Sequence, residues 1–151
     1  MSNTRGNQQQ DPVDLLYQFL LSKTEIYSDD ERNDVMQGAV SRVISNGGLA
    51  TAAHAFKKLD VEMAEYRGEW RRLLDAFTHA GCDEERGFCK SELDEYLFKH
   101  RGKVSMYNTL SSPAVQYARE QEELMSIKTR QENQQRDEAE LDRIVSLINR
   151  P

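Results

Sequence analysis

The sequence predicts an all-α fold: a helical bundle built on one long heptad-patterned helix, with a C-terminal extended helical arm. Three observations predict it. Helix starts are spelled out as a capping residue followed by Pro at Asp11-Pro12 and Ser112-Pro113, and as a capping box at Ser28 with Glu31. Apolar residues recur at helical spacing without a break from Leu49 to Phe77. "NGG" at 46–48 supplies residues that tolerate the left-handed backbone on which helices end.

Each element follows in order. The first ten residues, "MSNTRGNQQQ", are polar and lack apolar periodicity, so 1–10 is expected to be a disordered tail. A first helix begins at Asp11-Pro12, carries Leu15, Leu16, Phe19 and Leu20 as one stripe, and runs to about Lys23. The second starts at the capping box, where the acids of "SDDE" favour the positive helix end, and buries Val35, Met36, Ala39, Val40, Val43 and Ile44.

The third helix carries the strongest signal in the chain. Ala52, Phe56, Leu59, Met63, Tyr66, Trp70, Leu73 and Phe77 alternate intervals of four and three, the a/d pattern that keeps one seam on one side of a helix. Trp70, between Tyr66 and Leu73 on that seam, is expected in the core. Gly68 costs on the order of 1 kcal/mol relative to Ala, which burial of the flanking aromatics offsets.

Beyond about residue 79 the pattern loosens. Residues 80–93 read as an acidic loop, Ser91 as the cap of a short helix with Leu93, Tyr96 and Leu97 inward, and "RGKVSMYNTLSS" at 101–112 as a linker. A last helix then opens at Ser112-Pro113 and runs to about Asn149 with two apolar islands. The first holds Val115, Tyr117, Ala118, Leu124, Met125 and Ile127; the second holds Ala139, Leu141, Ile144, Val145, Leu147 and Ile148. "KTRQENQQRDE" at 128–138 separates them without one apolar side chain; a stretch polar all round is either a solvent-bridging helix or no stable helix, with Glu132 and Arg136 its one supportive i, i+4 pair. The expected organisation is a tail at 1–10, a bundle at 11–100, a linker at 101–112 and an arm at 113–151.

Composition narrows the function. The 151 residues suit one domain, or one domain plus an appendage, and 38% hydrophobic content supports a modest core. A net charge of -6 gives no positive field for nucleic acid or anionic lipid. The only paired basic residues on the long helix, Lys57-Lys58 and Arg71-Arg72, are interrupted by Asp60, Glu62, Glu65, Glu69 and Asp75, which reads as a solvated face. No apolar run approaches the roughly 20 residues that span a bilayer, and "MSNTRGNQQQD" has no hydrophobic signal region. The expected setting is cytoplasmic and away from membranes, where Cys82 and Cys89 are reduced thiols.

Two metal sites can be drawn on the loop. From Leu73 to Leu97 the chain resembles an EF-hand in its frame: Phe77 precedes the loop, Phe88 stands at its apolar eighth position, Glu92 at the twelfth and Leu93 directly after. That resemblance implies calcium ligands at Asp83, Glu85 and Glu92. It departs from the family at the first position, where Gly81 has no side chain to ligate, and at the sharp turn, where Arg86 replaces glycine. His79, Cys82, Cys89 and His100 form the second set, for zinc, although neither cysteine belongs to a Cys-x2-Cys hairpin. An acidic helix-loop-helix connection with packed thiols is the simpler account.

No Gly-rich phosphate loop, nucleophile elbow, Glu-x-x-His pair or Ser, His and acid combination in motif context is present. "NGGLAT" reads as a cap and His54, off the seam, as a surface residue. The expected function is therefore non-enzymatic, without a cofactor: an assembly or adaptor protein, scaffolding or structural, that pairs with itself or a protein partner through helical surfaces. The interaction residues are Leu141, Ile144, Val145 and Ile148, with Leu124 and Met125. The alternative is a metal-responsive regulatory module centred on residues 79–100.

Overall fold

The structure, a computed structural model, describes residues 10–150; the tail expected at 1–10 falls, apart from Gln10, outside them, as does Pro151. Five helices and no strand make up the described residues: α1 Pro12–Lys23, α2 Asp29–Ser45, α3 Leu49–Thr78, α4 Asp83–Lys99 and α5 Arg101–Ile148. The chain forms two compact units that divide between Val115 and Gln116.

Local chemistry sets the helix ends. The Asp11 side chain accepts from the Val13 N–H at 3.0 Å ahead of Pro12, and the Ser28 hydroxyl accepts from the Glu31 N–H at 3.3 Å. Gly47, at φ 85°, turns the chain off the end of α2.

The first unit is a helical bundle whose core draws on four helices. Leu16, Tyr17 and Leu20 of α1 meet Met36 and Val40 of α2, then Ala52, Ala55, Leu59 and Met63 of α3. Met106 and Leu110 of α5, both fully buried, close it. Burying each of the larger aliphatic side chains contributes roughly 1.5–3 kcal/mol. Phe56 and Tyr107 pack against the cluster from its rim, their ring centroids 4.8 Å apart.

The reading of 101–112 as a linker is therefore corrected. Gly, Ser, Asn and Thr dilute the helical pattern there, and Pro113 looks like a first helical residue because the residue before Pro is biased away from helical backbone. Tertiary packing overrides that preference: Gly102, Met106 and Leu110 repeat at i, i+4 and face the core. Pro113 lies inside α5, buried, and lacks the N–H that would have bonded to the Thr109 carbonyl. A bundle boundary at residue 100 would leave out two of its best-buried side chains.

Other expectations are also refined. Of the α1 stripe, Leu16 and Leu20 are buried together with Tyr17, whereas Leu15 and Phe19 are exposed. Along α3, Ala52, Leu59, Met63 and Leu73 of the seam are buried, while Phe56, Tyr66, Trp70 and Phe77 are only partly covered. Trp70 stands outside the core cluster because the C-terminal half of α3 packs against α4, which offers only two buried side chains, Cys89 and Leu93. Leu97, expected inward on α4, is exposed.

One charged side chain is buried in this unit. Arg32 is 2% exposed and donates from Nη1 to the Ile26 carbonyl at 2.8 Å and from Nη2 to Asp29 at 2.5 Å. Asp29 also faces Arg101 Nε at 3.4 Å, so one carboxylate ties the start of α2 to the start of α5. That pairing, with Arg32 the larger influence, holds the Asp29 carboxyl below its ordinary pKa.

Candidate interaction surface

In the second unit, residues 116–148 are helical although few are apolar. Gln, Glu, Arg and Lys are good helix formers, and Gln116 donates to Glu120 and Gln134 to Glu138 across single turns. Arg136, paired with Glu132 in the sequence reading, instead donates to Asn133 Oδ1 at 2.9 Å. The apolar islands are laid open on this helix: Leu124 is 59% exposed, Leu141 60% and Ile148 74%, with Met125, Ile127, Ile144, Val145 and Leu147 also exposed. All six residues expected to carry interaction are thus accessible on one continuous helix. Ile127 and Leu147, absent from that set, belong to the same exposed material.

A separate apolar groove lies on the first unit, missed by the sequence reading. Pro12, Leu15 and Phe19 of α1 with Ala39, Val43 and Thr51 enclose about 620 Å³. The signal was present: Leu15, Leu16, Tyr17, Phe19 and Leu20 form an apolar arc too wide for one core-facing stripe. On the other side of α3, Tyr66 and Tyr96 stack with centroids 5.3 Å apart, and His100 packs on both rings. Burial, reinforced by Lys99 and Lys103, holds His100 below its ordinary pKa.

Both proposed metal-ligand sets look different once folded. Residues 83–92, a loop in the EF-hand register, are the first turns of α4, and Ser91 is inside that helix rather than capping it. Cys82 is the N-cap, its sulfur accepting from the Glu85 N–H at 3.5 Å, and Asp83, Glu84 and Glu85 sit at the positive helix end. Helical backbone spreads Asp83, Glu85 and Glu92 instead of wrapping them around an ion. Asp83 pairs with Arg86, and Glu85 accepts from the Gly81 N–H. Of the zinc set, His79 caps α3 through the Asp75 carbonyl, Cys82 is exposed, Cys89 is buried and His100 lies against tyrosines. Among the described residues, no three His, Cys, Asp or Glu side chains gather into a group that could hold a metal ion.

The chain is thus an all-α protein: a helical bundle in the first unit, and in the second a helix whose large aliphatic side chains from Leu124 to Ile148 are exposed. Comparison with protein-family models, curated proteins and solved structures finds no match. Among the described residues, no helix is long and apolar enough to cross a membrane.

Proposed function

We propose that this protein is a non-enzymatic assembly or adaptor protein of the cytoplasm, in which a helical bundle presents the C-terminal half of α5 for pairing with another helix. One observation carries the reading: eight large aliphatic side chains between Leu124 and Ile148, Leu124, Met125, Ile127, Leu141, Ile144, Val145, Leu147 and Ile148, are exposed together on one helix. An isolated helix of this composition is marginal in water, and a surface helix normally buries its apolar stripe. Covering Leu141, Ile144, Val145 and Ile148 at roughly 1.5–3 kcal/mol each offsets the cost of ordering the segment.

The test is Leu141→Asp with Ile148→Asp in the full chain. Sedimentation velocity over a hundredfold concentration range, with capture of partners from the native extract, should show a folded bundle that no longer associates. A double variant that assembles and captures as the parent does would remove α5 as the interaction element.

A further inference from the structure

Between Tyr117 and Ile148 a single heptad seam runs through both apolar islands and the polar stretch between them. Tyr117, Glu120, Leu124, Ile127, Gln131, Gln134, Glu138, Leu141, Val145 and Ile148 alternate intervals of three and four on unbroken helix. Leu124, Ile127, Leu141, Val145 and Ile148 on that seam are all exposed. A repeat of 3.5 residues, sustained over more than three heptads, keeps a seam on one side when two helices wind around each other. The seam is about 48 Å long at 1.5 Å per residue.

We propose that residues 117–148 pair with the same segment of a second copy of this chain, antiparallel, about a centre between Gln131 and Gln134. The inference rests on the assembly reading above and specifies its partner and orientation. The choice of orientation comes from charge.

In a parallel pair each seam residue meets itself, so Glu120 would face Glu120 of the second copy and Glu138 would face Glu138. The flanking positions would set Asp137 against Asp142 on both sides, leaving Glu123 with Lys128 as the sole favourable pairing. Carboxylates meeting at a dry seam and again at its rim oppose that arrangement.

The antiparallel pair removes every one of these like-charge meetings. Leu124 faces Leu141, Tyr117 faces Ile148, and Gln131 faces Gln134, whose amides can donate to and accept from one another. Tyr117 and Leu124 of one copy thus lie on Ile148 and Leu141 of the other, while Glu120 faces Val145 and Glu138 faces Ile127, so that no carboxylate meets another across the seam. At the rim, Arg130 faces Asp137 twice, once at each symmetry-related position. The polar stretch between the islands, unfavourable as a lone surface, becomes the element that fixes register and direction.

Charge reversal in the full chain tests this, read by sedimentation equilibrium at low salt, with circular dichroism to show that helicity is kept. The parent should be a reversible dimer. Asp137→Arg and Arg130→Asp should each weaken it by about tenfold, because two favourable pairs become two like-charge pairs, and the two together should restore it to within about threefold of the parent. A tighter dimer with Asp137→Arg, which would then face Asp142, overturns the antiparallel arrangement in favour of the parallel one. A parent that stays monomeric at every concentration overturns pairing with a second copy. Neither result removes the assembly reading, which fails only if Leu141→Asp with Ile148→Asp leaves partner capture and self-association unchanged.

Discussion

Gly102 decides whether the start of α5 is part of the bundle, and a single methyl group tests it. A Cβ built at Gly102 would lie 2.2 Å from the Thr24 carbonyl oxygen, 2.8 Å from Thr24 Cβ and 2.9 Å from its carbonyl carbon. Ordinary contacts between such atoms need about 3.5 Å, so α5 or the α1–α2 turn must move by about 1 Å. That turn resists movement. The Thr24 hydroxyl donates to the Leu21 carbonyl at 2.7 Å, and Arg32 holds the Ile26 carbonyl at 2.8 Å. Overpacking of this kind costs about 1–3 kcal/mol, against a helix-propensity gain of at most about 1 kcal/mol so near the helix start. Gly102→Ala should therefore destabilise by about 1–2 kcal/mol. Gly68→Ala is the control: nothing lies within 4 Å of its Cβ, so it should stabilise by about 0.5–1 kcal/mol. Urea unfolding followed by Trp70 fluorescence and circular dichroism measures both. If Gly102→Ala matches or exceeds the parent, residues 101–112 are not seated against the α1–α2 turn and the linker reading returns.

Two further outcomes follow from individual contacts. Cys82→Ser should leave the fold intact and raise stability by about 0.5–1 kcal/mol, because a hydroxyl caps α4 better than a sulfur 3.5 Å from the Glu85 N–H; a loss of stability in the same urea assay would refute that role. The Tyr17 hydroxyl donates to Glu62 at 2.5 Å, and burial, then Glu62, raises its pKa above the ordinary 10.0. Above pH 10 the unfolded chain loses this proton while the folded one keeps it, so stability is present below pH 10 and falls as pH rises beyond it. Tyr17→Phe should cost about 1–3 kcal/mol near neutrality and flatten the alkaline decline; an unchanged decline by pH-dependent melting would assign it to other groups.

Signals confined to neighbouring residues were legible. Asp11-Pro12, Ser28 with Glu31 and Gly47 act through bonds and backbone angles within a few residues, so the starts of α1 and α2 and the end of α2 follow from the sequence. The α4 start was hidden because cysteine is an unusual cap and the surrounding acids and glycines resemble a loop. The apolar islands of the last helix were also legible, since their exposure needs no partner to be read. Their common seam became visible only once the polar stretch between them was known to be helical.

Helix type, the Asp11 and Ser28 caps, the heptad spacing of α3 and the composition of the C-terminal segment were determined by the sequence, because each depends on spacing along the chain. Tertiary structure decided which of the candidate faces make the core. Met106 and Leu110, set among residues with weak helical preference, are fully buried because α1, α2 and α3 leave an apolar gap that they fill. Trp70, on the strongest seam in the sequence, is only partly covered because α4 supplies too little apolar surface opposite it. Burial is a property of two surfaces meeting, and a periodic pattern in one helix specifies only one of them.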